Sequence, residues 1–267
     1  MSRILFLLAA LSIATAARAH EFWVEPADAS LAPGETLIAD IVLGSDFKGN
    51  RFRYNPAKFR RFDIVGPDGT VPVVSRLGDK PALEQVAETA GLHVVAYVGE
   101  VERTSYFKLA DFLKFTDDMG FADAAERHRT RGLPEDAIHE AYTRFAKALV
   151  RVGETQEADR TLGLEIELIL LAKPAAGTVR VQALLQGKPM VGVKLRGFSR
   201  VVGADSGMEA ESLAVLTDEE GIAPVPLAPG RRYLLNVVHL RVPSEELAKA
   251  RNVDWETLWA STVFETE

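Results

Sequence analysis

The chain has 267 residues, 47% of them hydrophobic, which is enough to bury a core in one or two domains. Its formal charge of −7 argues against a nucleic-acid partner, and the absence of cysteine excludes disulfides and thiolate metal ligands. Any metal site must therefore use nitrogen and oxygen donors.

The first nineteen residues read as a secretory leader. Arg3 gives the positive start, "ILFLLAALSIATAA" the apolar stretch, and Ala17-Arg18-Ala19 the small-x-small cleavage pattern. The apolar stretch falls short of the roughly 20 residues that a bilayer span takes, so a leader is expected and not an anchor, with no span after its removal. Cleavage between Ala19 and His20 removes two arginines and no acid, which takes the charge to −9 over 248 residues. The mature protein is expected to be soluble and periplasmic.

From His20 to residue 108, short β-rich runs such as "ETLIADIVLG" and "GLHVVAYVGE" alternate with turn signals such as "GPDGT" and "LGDKP". An antiparallel β-sandwich is expected there. Residues 109–153 change character, since Ile138, Tyr142, Phe145 and Leu149 recur at helical spacing, with Pro134 suited to a first turn and Gly153 to a stop. They predict a helical insertion, preceded by one or two shorter helices in "LADFLKFTDDMGFADAAERHR". In "GLEIELILL" the apolar residues alternate with Glu165 and Glu167, the pattern of a half-buried strand. Residues 154–267 then predict a second β-sandwich, with turns at Gly-Lys-Pro, Asp218 to Gly221, and Pro229-Gly230. The expected class is mainly β, two immunoglobulin-like or transthyretin-like sandwiches with an α-helical insertion.

The mature amino terminus carries the most unusual chemistry. An N-terminal His20 chelates a metal through its α-amine and Nδ1, and a second histidine from the fold completes a nitrogen plane that suits copper(II) or nickel(II). Both groups lose protons to a metal near neutral pH. His239 closes the strand "RYLLNVVHLR" and is the second ligand candidate, with Asp254 and Glu256 downstream to orient its ring. His93, at the start of "HVVAYV", is the third, although a lone strand histidine is more often structural. His128 and His139, among charges in the insertion, are discounted.

Residues 48–62, "KGNRFRYNPAKFRRF", interleave basic and aromatic residues without an acid. They suit an anionic ligand or an acidic protein or lipid surface, with Arg60 and Arg61 as the docking pair. The acids at Asp117-Asp118 and Asp218 to Glu220 lack calcium-loop spacing, and no hydrolase motif or phosphate loop is present.

"HEFWVEP" directly after the leader, "YTRFAKALVRVG", "LGLEIELI", "LLQGKPMVGVKLRGF" with "LTDEEG", and the ending "VVHLRVP…VDWETLWASTVFE" together resemble the NikM-like family of exported proteins of unknown function. The resemblance spans nearly the whole mature chain. It implies a periplasmic protein of two β-sandwich parts with a helical insertion, associated with cobalt or nickel uptake. His20 and His239 match family histidines and carry over as ligand candidates. In nickel-transport members the histidine follows one residue after the terminus; here His20 itself comes first, which tilts the chemistry toward copper.

The expected function is thus a non-enzymatic protein that binds one nickel, cobalt or copper ion and delivers it to a membrane transporter. The first alternative is a copper enzyme that activates oxygen against glycans, which needs exposed aromatics around its metal; Trp23, Trp255 and Trp259 look more like core. The second is a metal-free envelope interaction module that uses residues 48–62. Fold alone favours none of these.

Overall fold

The structure, a computed structural model, describes residues 21–204 and 210–267. In chain order these form β1 (Glu21–Pro26), β2 (Ser30–Leu31), β3 (Glu35–Ser45), β4 (Lys48–Phe52), a single 3₁₀ turn (Pro56–Lys58), β5 (Phe59–Gly66), β6 (Gly69–Pro72), β7 (Leu83–Ala87), β8 (Gly91–Gly99) and β9 (Glu102–Lys108). Two helices follow, α1 (Leu109–Met119) and α2 (Ala124–Thr130), and then the long strand β10 (Asp136–Val152). The remainder comprises β11 (Ile166–Leu170), β12 (Gly177–Leu185), β13 (Lys188–Pro189), β14 (Lys194–Val201), β15 (Glu211–Leu216), β16 (Ile222–Leu227), β17 (Arg231–Arg241), α3 (Glu245–Arg251) and β18 (Trp255–Glu265).

The molecule is mainly β, as expected, and its strands form three layers. A central ten-stranded sheet runs β15-β14-β17-β18-β10-β8-β5-β6, with β2 and β9 also paired to β10. On one face lies the sheet of β1, β3, β4 and β7; the other is covered by β11, β12, β13 and β16. Trp23, Leu37 and Val42 pack with Val95, Ala146 and Phe198 in the first interface. Leu168, Val181 and Val225 pack with Leu149, Leu235 and Leu258 in the second. The central sheet draws on strands from before residue 109 and after residue 153 alike.

The helical insertion is shorter than expected. Only α1 and α2 are helical, and the segment from Asp136 to Val152 is a strand. The reason is burial on both faces. Ala146, Ala148 and Val150 enter the first core while Phe145 and Leu149 enter the second, so apolar residues fall on both faces of the strand and period two is hidden. Parallel pairing with β18 on one edge, from Glu140↔Trp255 to Ala148↔Val263, fits such a doubly buried strand. The helices pack Phe112, Phe115 and Met119 onto Trp255, Trp259 and Val238 beside the first sheet. Gly120, with φ 94°, ends α1 in the left-handed region that glycine adopts without strain.

Two smaller expectations also shift. Glu167 is 2% exposed and not on a solvent face, because β11 is buried along its length. The turn before β13 is made by Gln186 and Gly187, with φ 51° and 73°, and not by Gly-Lys-Pro. No helix among the described residues is long and apolar enough to cross a membrane.

Candidate functional site

At one end of the first interface the sheets part around a cavity of about 630 Å³, a size typical of small-molecule sites. Phe22 of β1 and Leu43 of β3 form its inner side, and Tyr97 of β8 and Tyr142 with Arg144 of β10 its floor. The outer wall is the stretch from Arg51 to Phe59. That stretch is fixed locally: the Asn55 side-chain Oδ1 accepts the Ala57 amide at 3.0 Å and caps the 3₁₀ turn. The Tyr97 hydroxyl donates to the Lys58 carbonyl at 3.1 Å. Rings stack edgewise or tilted around the floor, Phe22 to Tyr97 at 4.8 Å and Phe59 to Tyr97 at 5.7 Å between centroids.

The charges of the lining are unequal. Arg51 pairs with Asp40 at 2.7 Å, and Lys58 with Glu102 at 2.9 Å. Arg144 forms no ion pair with a described residue; its guanidinium lies 4.4 Å over the Tyr142 ring and 5.6 Å from the Phe22 ring centroid. Arg53 donates to the Gly78 carbonyl at 2.8 Å and meets no carboxylate either. Burial holds the Tyr97 and Tyr142 phenols above their ordinary range, with Arg144 opposing the shift in both.

Beside the cavity, β1 is held along its whole length. Its carboxylates alternate with Trp23 on one face and meet arginines of the central sheet: Glu21 with Arg196 at 3.2 Å, and Glu25 with Arg232 at 3.1 Å and also with Arg200. The Trp23 indole donates to Glu25 at 3.0 Å. Burial raises the Glu21 carboxyl above its usual range, and Arg196 opposes that shift. The β3–β4 hairpin that supports the cavity turns through Asp46 and Phe47, with φ 55° and 61°. A bulky residue in that region is strained; the Phe47 ring is fixed by Trp23 at 5.6 Å and by Arg200 at 4.4 Å.

The structure scatters the other sequence candidates. His20 lies outside the described residues. His93 is 7% exposed on β8, its ring so close over Gly66 that no side chain fits there. His239 is half-buried on β17, opposite Leu258. The pleat places His93 with Val95 and Tyr97 on the first core's face, but His239 with Leu235 and Val237 on the second's. With β10 and β18 also between their strands, these two side chains do not meet on one ion.

Glu256 is turned to Arg241 in a two-pronged pair, 2.7 Å for each contact, and Asp254 accepts the His139 amide at 2.8 Å. Burial, then the charges of Arg241 and Arg127, lower the His239 pKa. Arg61 is engaged by Asp63 at 2.7 Å and the Leu162 carbonyl at 3.2 Å, while Arg60 donates to the Gly99 carbonyl at 3.2 Å. Their neighbours Arg51, Arg53 and Lys58 line the cavity instead. No group of three His, Asp or Glu side chains among the described residues is arranged to hold a metal. Trp23, Trp255 and Trp259 are all buried, so none offers a surface to a glycan.

No curated protein matches the sequence. Among solved structures, a mutant alpha-2-macroglobulin from Salmonella is 16% identical, with a TM-score of 0.23 over 91% of this chain and 14% of that one. Elastase-activated alpha-2-macroglobulin from Escherichia coli is 13% identical, with a TM-score of 0.24 over 93% of this chain and 20% of that one. The chain thus spans a fifth or less of the length of these proteins, and at such scores the likeness carries no argument. Residues 17–241 match the profile described as "Domain of unknown function (DUF4198)", and the chain belongs to that family.

Proposed function

We propose that the protein is a capture protein, a binder and not a catalyst, that receives a small ligand in the cavity between β1, β3, β8 and β10. The observation that supports this reading is an aromatic-lined space of about 630 Å³ in which two arginines have no acidic partner among the described residues. Binding pockets of this kind are mostly apolar with a few convergent polar groups. The basic and aromatic stretch at residues 48–62 thus has a use as a cavity wall. Its test is fluorescence titration with phenylnaphthylamine, an uncharged aromatic probe. Saturable binding to the wild type and its loss in Leu43→Trp, which fills the space, are expected; binding that Leu43→Trp leaves unchanged overturns the reading.

A second reading keeps the metal. Glu21 is 1% exposed and pinned by Arg196, so a residue joined to it by one peptide bond has a fixed point of attachment. In an exported chain cut after Ala19, His20 would chelate nickel, cobalt or copper through its amine and imidazole, leaving positions open for release to a membrane transporter. The resemblance to NikM-like proteins supports this periplasmic role, with at most one of His93 and His239 as a companion ligand, since they lie on opposite faces of the central sheet. Titrating the cleaved protein and its His20→Ala variant with each metal decides the matter. Weaker binding in the variant, and a fall in affinity below about pH 6, are expected; equal affinities overturn it.

A further inference from the structure

We infer that the ligand of this cavity carries one negative charge beside an apolar ring or chain, and that Arg53 and Arg144 receive the charge. The inference rests on the cavity being a binding site and adds the chemical class. Four cations and two acids line the space. Two of the cations are neutralised, Arg51 by Asp40 and Lys58 by Glu102. Arg53 and Arg144 remain, against the single acid Glu100, which has no ion pair among the described residues. A surplus of one positive charge in a partly enclosed, aromatic space selects a monoanion over a neutral molecule, a cation or a polyanion.

The two arginines are held ready for this task. The Arg144 guanidinium is held 4.4 Å over the Tyr142 ring, and the Gly78 carbonyl takes Nη1 of Arg53. Each retains N–H groups for a carboxylate or sulfonate, in the fork geometry that guanidinium offers to planar anions. Phe22, Tyr54, Phe59 and Tyr97 supply the apolar side against which a ring or chain would lie. Both arginines approach the same volume from different elements, the stretch after β4 and the middle of β10.

Two probes with one ring framework separate the class from the cavity. Anilinonaphthalene sulfonate carries a single sulfonate, and phenylnaphthylamine has none. The sulfonate is expected to bind the wild type about tenfold or more tighter than its neutral twin, as charge-assisted hydrogen bonds imply. Arg53→Gln with Arg144→Gln should abolish that preference, and Arg144→Lys should keep part of it. Equal affinity for the two probes, or a preference that survives both glutamines, overturns the anionic class. If instead neither probe responds to Leu43→Trp, or to Leu77→Trp at the exposed rim, the cavity itself is not the site.

Discussion

The Lys147 ammonium lies 2.8 Å from the Asp159 carboxylate, and both side chains are at most 1% exposed. Glu167 stands 3.7 Å away, and the ammonium also donates to the carbonyls of Arg160 and Leu168 at 3.1 Å. Asp159 in turn accepts the Leu170 amide at 3.1 Å. This buried cluster ties the loop after β10 to β11. Lys147→Met strands two carboxylates without water and is expected to cost about 3–5 kcal/mol. Urea denaturation measures it, and adding Asp159→Asn and Glu167→Gln should recover part of the loss.

Glu140 is fully enclosed beside α1, accepting hydrogen bonds from the Tyr106 hydroxyl at 2.6 Å and from the Thr257 hydroxyl. Burial raises its pKa above the ordinary carboxylate value, with Thr257, Tyr106 and Arg144 opposing. The folded protein therefore keeps a proton that the unfolded chain has released, and stability falls as pH rises from the ordinary value through the raised one. Glu140→Gln cannot ionise. Melting temperatures of the two proteins should diverge in favour of the variant as pH rises above the ordinary carboxylate value of 4.5; parallel curves would show an ordinary carboxylate.

His239 is the opposite case. Its lowered pKa means that the unfolded chain takes up a proton first, so stability is lost as pH falls through the ordinary imidazole value of 6.5. Its ring resonances, followed by NMR, should titrate with a midpoint below that value. A midpoint at or above it would place the ring in water.

The Trp255 indole donates to Nδ1 of His128 at 3.1 Å, and Nε2 of that ring meets the Pro134 carbonyl at 2.9 Å, which assigns the tautomer. Both aromatic side chains are 0% exposed. His128→Phe keeps the ring volume and leaves a buried donor and a carbonyl without partners, an expected cost of about 1–3 kcal/mol for each stranded group. Amide exchange should quicken first in α1 and α2, which are seated on this pair.

Much of the architecture was legible in residue order. Turn residues and β-rich runs marked the strands, and the one or two short helices expected in "LADFLKFTDDMGFADAAERHR" are α1 and α2. The failure at β10 has a physical cause, since a strand buried on both faces displays no alternation and its chance spacing of Ile138, Tyr142, Phe145 and Leu149 imitates a helix. The misreading also concealed Tyr142 and Arg144, which reach the cavity from that strand. The wall of the cavity was legible as a basic and aromatic run. Which of its cations stay unpaired was not, because Asp40 and Glu102 approach from other strands. Nor could the sequence place His93 and His239 on opposite faces, which depends on the order of strands in the sheet.

β18 is hydrogen-bonded on both edges, parallel to β10 from Glu140 to Ala148 and antiparallel to β17 from Arg232 to Arg241. A chain made from its amino end therefore cannot zip its widest sheet until those late residues arrive. Before then β10 and β17 present two long unpaired edges, open templates for a neighbouring chain. Assembly dominated by such distant partners is slow. Truncation just before Trp255 should consequently yield an aggregating chain and not a smaller folded one.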